Sequence, residues 1–223
     1  EPELRLLSAL AAEMGKVAPV SIRVNPDVDA GTHEKITTGR NQNKFGIPIG
    51  RAMEIFELGA ALPGLAMLGV AIHIGSQITD LAPFEAAFDK ALGLIDDLRA
   101  AGHEIRRCNL GGGLGIPYHH DGDNQETPPS PKDYGEALKG ILGPLNLKAV
   151  FEPGRVLVGN AGILLTKVVR VKEGSMRKFA LVDAGMNDLI RPALYQAHHD
   201  IELVRATEDA PEVIDVVGPV CES

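Results

Sequence analysis

The 223-residue sequence predicts an α/β fold: the second half of a (β/α)8 TIM-type barrel, followed by part of an antiparallel β domain. Three observations predict it. Short β-branched runs alternate with amphipathic helical stretches through the first two thirds, which is the signature of parallel strands joined by helices. Four of those runs end in polar or glycine-rich sequence: NPD after VSIRV, HIGSQ after LGVAI, GGGLG after IRRCNL and EPGR after LKAV. Strand ends of that kind converge on one mouth when parallel strands close into a barrel. Beyond Arg155 the strand-like runs follow one another with no helix between them, which signals a separate antiparallel domain.

The elements follow in order. The chain opens in helical sequence (EPELRLLSAL), and VSIRV (20–24) is a strand. IGRAMEIFELGAAL (49–62) carries apolar residues at helical spacing, and LGVAIHI (68–74) is a strand again. Residues 83–102 form a helix that puts Phe84, Phe88, Leu92 and Ile95 on one face and stops at Gly102. IRRCNL (105–110) is a strand, 131–142 a helix and LKAVFE (147–152) a strand. The segment 121–131, DGDNQETPPSP, is a solvated loop. GILLTKVVRVKE (162–173), KFALVDAG (178–185), IELVRA (201–206) and DVVGPVC (215–221) are the strands of the second domain. The boundary falls near 156–162, giving a barrel portion at 1–157 and a β domain at 158–223. Four parallel strands are half of what a barrel of this type needs, so the rest are expected upstream of residue 1.

Composition narrows the function. Net charge is −8, so no basic face is available for nucleic acid or an anionic membrane, and a small-molecule ligand fits better. No apolar run is long enough to span a bilayer, and the first residues lack a signal-peptide pattern. A cytoplasmic protein is expected. Cys108 and Cys221 lie far apart in the sequence, which implies neither a disulfide framework nor a metal pair. Cys108, within a strand, is read as core.

Several strand-end residues carry candidate chemistry. GGG at 111–113 is either a tight turn or a cradle in which backbone N–H groups reach an anion such as phosphate. Gly75-Ser76 and Gly154-Arg155 repeat the theme at neighbouring strand ends and favour the cradle. Glu152 closes an apolar strand, where a carboxylate is costly unless paired. Its partner is either Arg155 or a protonated heteroaromatic nitrogen of a cofactor. His73 is either a core histidine or a flat ring suited to stacking on an aromatic group.

HIGSQITD, NLGGGLGIPY, EPGRVLVGNAG, DAGMNDLIRPALY and GPVCES, in this order, resemble the fold-type III pyridoxal-phosphate decarboxylases. The last two are similar to the diaminopimelate decarboxylase branch of that family. NKFG (43–46) departs from the family, which usually has a serine where Asn43 stands. The resemblance implies decarboxylation of meso-2,6-diaminopimelate to L-lysine and CO2, with pyridoxal 5'-phosphate as cofactor and no metal. It implies that His73 stacks on the pyridine ring and Glu152 pairs with its nitrogen. Ser76, Gly111, Gly112, Gly113 and Gly154 would hold the cofactor's phosphate, and Pro153 and Arg155 would also contact the cofactor. Arg155, Arg191, Tyr195 and Glu222 would recognise substrate, the arginines through bidentate carboxylate contacts. Cys221, a thiol still protonated at neutral pH, would return a proton to the α-carbon. The catalytic set is thus Cys221, His73 and Glu152.

The resemblance also implies a homodimer whose CES loop completes the neighbouring subunit's site. The family's Schiff-base lysine is expected before Glu1, and a final aromatic contact after Ser223, so the isolated chain is expected to be inactive. Lys44 is not assigned that role. The alternatives are a decarboxylase for ornithine, arginine or carboxynorspermidine, and a non-catalytic regulatory homologue. Arg191 and Glu222 argue against the first. Retention of Glu152, the glycine loop and Cys221 argues against the second.

Overall fold

The computed structural model describes residues 1–29, 45–118, 127–143, 146–208, 210 and 212–221. The chain divides into two compact units, one formed by Glu1–Ile116 with Thr127–Gly159, the other by Pro117–Glu126 with Asn160–Ser223. The grouping of Pro117–Glu126 with the second unit has no counterpart in the sequence reading.

In the first unit, helix α1 (Pro2–Glu13) leads into strand β1 (Ala18–Asn25). A short strand β2 (Ile47–Pro48) and a 3-10 turn (Ile49–Arg51) precede helix α2 (Ala52–Ala61). Strand β3 (Leu65–Ala71), helix α3 (Ala82–Ala100), strand β4 (Arg107–Asn109), helix α4 (Pro131–Leu142) and strand β5 (Lys148–Val150) complete the alternation. Among the described residues the sheet has five strands in the order β2-β1-β3-β4-β5, all parallel. The fifth, β2, is too short to register as a hydrophobic run. β3 starts at Leu65 and ends at Ala71, so His73 belongs to the loop beyond the strand.

The helices form where the sequence supplies their ends and apolar faces. α3 takes Pro83 in its first turn, where no intrahelical N–H bond is lost. It buries Phe84, Ala87, Phe88, Ala91, Ile95 and Leu98 against the sheet. Leu92, expected on that face, is half-buried at its flank. α4 starts from a capping box: the Asp133 N–H donates to Ser130 Oγ at 3.2 Å, and the Ser130 N–H donates to Asp133 Oδ2 at 3.0 Å. One core joins these helices to the sheet through Val24, Phe56, Val70, Phe84, Phe88 and Leu98, all essentially inaccessible to solvent. Cys108 is part of it, and burial pushes its thiol up to about 11, as suits an inert core residue.

Register decides where the site can lie. Arg23 pairs with Ala71, Ala71 with Asn109, and Asn109 with Val150. In a parallel sheet those pairings make HIGSQ, GGGLG and FEPGR leave the same edge at the same level.

The second unit holds strands β6 (Val168–Glu173), β7 (Lys178–Val182) and β8 (Asp215–Val217) in the order β6-β7-β8. β6 and β7 are antiparallel, but β7 and β8 are parallel, so the sheet is mixed rather than antiparallel throughout. Residues 201–206, expected as a strand, lie in irregular backbone and pair with no strand among the described residues. Two helices occur where none was expected, α5 (Arg155–Val158) at the end of the first unit and α6 (Arg191–Tyr195) in the second.

Candidate active site

In the first unit the strand-end loops are tied to one another by hydrogen bonds. Asn109, the last residue of β4, donates from Nδ2 to Glu152 Oε1 at 2.7 Å and accepts the Gly111 N–H on Oδ1 at 2.8 Å. The Glu152 N–H donates to the Gly111 carbonyl at 2.8 Å. One amide side chain therefore positions both the carboxylate and the start of the glycine loop. Glu152 Oε2 makes no hydrogen bond among the described residues.

His73 Nδ1 accepts the Gly112 N–H at 3.3 Å, which places the proton of the neutral ring on Nε2. Burial lowers the His73 pKa, the Arg23 guanidinium lowers it further, and Glu152 opposes both. The half-buried ring is therefore neutral at neutral pH. Arg23 projects from β1 and donates from Nη2 to the His73 carbonyl at 3.4 Å; its buried Nε has no hydrogen-bond partner among the described residues.

The glycine loop owes its composition first to close packing. A Cβ on Gly111 would strike the Ile72 carbonyl and one on Gly113 the Gly75 carbonyl, and both residues have positive φ, +69° and +112°. A Cβ on Gly112 would strike the Glu152 carbonyl. The N–H groups of Gly111 and Gly112 are engaged by Asn109 and His73. These two bonds tie the loop to its neighbours, because adjacent strand ends sit too close to leave it independent.

Gln77 performs a similar task one loop away. Its Nε2 donates to the Ile116 carbonyl at 2.5 Å, and its Oε1 accepts from the Ile116 N–H at 3.3 Å and from Arg155 Nη1 at 3.0 Å. Arg155 is therefore held by Gln77 and Glu152 by Asn109, rather than the two by each other. Glu152 is exposed, not buried as its strand-end context implied. β5 is an edge strand, so one flank of Glu152 has no neighbouring strand among the described residues.

Pro153 lines an apolar cleft of about 430 Å³ together with the glycine loop, Tyr134 and Leu138 of α4, and Phe151. Ser76 and Gly154 stand in their expected loops, half-buried and exposed respectively.

The second unit brings Arg191 and Tyr195 together at the two ends of α6. The Arg191 guanidinium lies 5.4 Å from the Tyr195 ring centroid and donates from Nη2 to Tyr118 Oη at 2.9 Å. Cys221 is a free, exposed thiol of this unit. Glu222, like Asn43 and Lys44, lies outside the described residues.

Four contributors escaped the sequence reading: Arg23, Gln77, Asn109 and Tyr118. Asn109 and Gln77 lie at or just beyond apolar strand ends, the same signal that picked out Glu152. Arg23 and Tyr118 carried no such mark.

A parallel sheet with a carboxylate, a neutral imidazole and glycine turns gathered at one edge defines a small-molecule site of the kind that binds flat, anionic cofactors. The chain belongs to the family described as "Pyridoxal-dependent decarboxylase, pyridoxal binding domain", which matches residues 1–159. It is 48% identical over 221 residues to diaminopimelate decarboxylase of Zymomonas mobilis, covering 99% of this chain and 52% of that protein. With the Vibrio cholerae protein of the same name it shares 49% identity over 224 residues, covering 100% and 52%. The crystal structure of Helicobacter pylori diaminopimelate decarboxylase complexed with L-lysine superposes with a TM-score of 0.91 at 39% identity, covering 99% of this chain and 54% of that one. The chain spans about half the length of the curated relatives it matches.

The residues present fit a pyridoxal cofactor. A neutral, half-buried imidazole can stack on a pyridine ring face without charge repulsion, and a carboxylate oriented through one oxygen leaves the other for a protonated ring nitrogen.

Proposed function

We propose that this chain is part of a cytoplasmic enzyme that decarboxylates meso-2,6-diaminopimelate to L-lysine and CO2 with pyridoxal 5'-phosphate. The observation that carries the reading is the hydrogen-bonded set Asn109, Glu152, Gly111, Gly112 and His73 at three adjacent strand ends. It is supported by the identity to diaminopimelate decarboxylases along nearly the whole chain. When bound, the cofactor supplies an electron sink for the bond that releases CO2.

The chain's own residues then have defined tasks. Glu152, aimed by Asn109, keeps a proton on the ring nitrogen. His73, locked by the Gly112 N–H, offers its flat face. Ser76, Gly111, Gly112, Gly113 and Gly154 hold the phosphate, with Pro153 and Arg155 beside the cofactor. Arg155, Arg191, Tyr195 and Glu222 recognise the amino-acid end of the substrate that is left intact. Cys221 delivers a proton to the α-carbon after CO2 leaves, in a homodimer that completes each site with the partner's loop.

The test is product analysis. Full-length protein with pyridoxal phosphate should release CO2 and L-lysine from meso-diaminopimelate and leave ornithine and arginine unchanged. Turnover of ornithine at a comparable kcat/KM would overturn the substrate assignment.

A further inference from the structure

The Arg191 side chain is boxed in more closely than a surface cation needs. Two of the chain's three tyrosines flank it: its guanidinium carbon lies 5.4 Å from the Tyr195 ring centroid and 5.8 Å from that of Tyr118. Tyr118 also accepts its Nη2–H at 2.9 Å. A third ring packs against Tyr118: His199 meets it edge-on, with centroids 6.3 Å apart and planes at 78°. The His199 Nε2 is buried with no hydrogen-bond partner among the described residues. Burial lowers the pKa of His199 and the Arg191 guanidinium lowers it further, against the opposing pull of Asp200, which disfavours a second positive charge beside Arg191.

We infer that Tyr118, backed by His199, is a positioning residue for substrate recognition that orients the Arg191 fork toward a carboxylate. The geometry gives the reason. A long guanidinium side chain loses rotamer freedom when it grips a carboxylate, and a fork already fixed before binding loses less. Tyr195 holds one side of the guanidinium, while the Tyr118 hydroxyl occupies one N–H of Nη2 and leaves the remaining donors for a bidentate contact. A phenol ring pinned by a second ring can hold that position, whereas a lone hydroxyl on a free rotor could not.

The inference rests on the proposal that Arg191 binds the substrate's carboxylate, and the experiment separates the two. Calorimetric titration of the full-length holoenzyme would use two probes of the same skeleton: L-lysine, which has a carboxylate, and 1,5-diaminopentane, which has none. Arg191→Gln should weaken L-lysine about a hundredfold and leave the diamine unchanged. Tyr118→Phe, which removes one hydroxyl, should weaken L-lysine about tenfold with the diamine again unchanged, and should raise KM about tenfold at nearly constant kcat. Tyr118→Leu, which removes the ring as well, should weaken L-lysine at least as much.

Selective loss in Arg191→Gln with wild-type L-lysine affinity in both Tyr118 variants would overturn this inference and leave the carboxylate reading standing. Equal loss of both probes in the Tyr118 variants would make the residue merely structural and also overturn it. No selective loss in Arg191→Gln would overturn the carboxylate reading, and the inference with it.

Discussion

The two units of this chain are held together by different means. Nearly every buried apolar side chain belongs to the first; in the second, Ala180 is the one buried hydrophobic among the described residues. β6 is exposed along its whole length, and Val169, Val171, Ile163 and Leu165 face solvent. The ion pairs that link β7 and β8 to their surroundings, Lys178 with Glu212 and Arg177 with Asp215, are exposed and so contribute little. The first unit can therefore hold a hydrogen-bonded cluster at its sheet edge from its own packing. The second carries Arg191, Tyr195 and Cys221 together with a three-stranded sheet whose described residues bury little apolar surface, and so small a sheet is marginal alone.

The largest expected difference between the units is functional. In the full-length enzyme Glu152→Ala should lower kcat about a thousandfold, whereas Cys221→Ala should cost about a hundredfold with the cofactor's absorbance intact. Similar mild losses from both would contradict the division of labour. Packing gives the next effect: Phe88→Ala should destabilise the first unit by about 3–5 kcal/mol in a denaturant titration, because its ring is essentially inaccessible.

Smaller effects sharpen the picture. Asn109→Ala removes the bonds to Glu152 and Gly111 and should cost about 1 kcal/mol, with a measurable fall in cofactor affinity. His73 supplies a pH signature. Its folded pKa lies below the ordinary value near 6.5, so the unfolded chain binds more protons in that window. Stability is then full above about pH 6.5 and falls as pH drops through the lowered value. His73→Gln should flatten that part of the stability profile. Val169→Ala, on the exposed β6, should change stability by less than about 0.5 kcal/mol.

Much of the site was visible in the linear pattern because strand-end chemistry violates local expectation. A carboxylate after AVF, an imidazole after LGVAI and three consecutive glycines each stand out against an apolar run. Asn109 and Gln77 obeyed the same rule but look like ordinary loop residues, since an uncharged amide costs less to leave at a strand end than a carboxylate does. Arg23 alternates with apolar residues along β1, as any strand cation can. Tyr118 gains its meaning from Arg191, 73 positions later, and no local signal links them.

Periodicity was enough to reveal parallel strands and intervening helices, because those features follow from local burial patterns of period two and 3.6, and strand-end composition marked the candidate site at their carboxyl ends. Register, and everything that depends on it, came only with folding. The alignment of Ala71, Asn109 and Val150 decides that Asn109 meets Glu152 and that Gly112 meets His73. β8 ran parallel to β7, and 201–206 stayed out of the sheet, for the same reason: strand pairing is chosen by neighbours distant in sequence, and a run of β-branched residues does not name its partner.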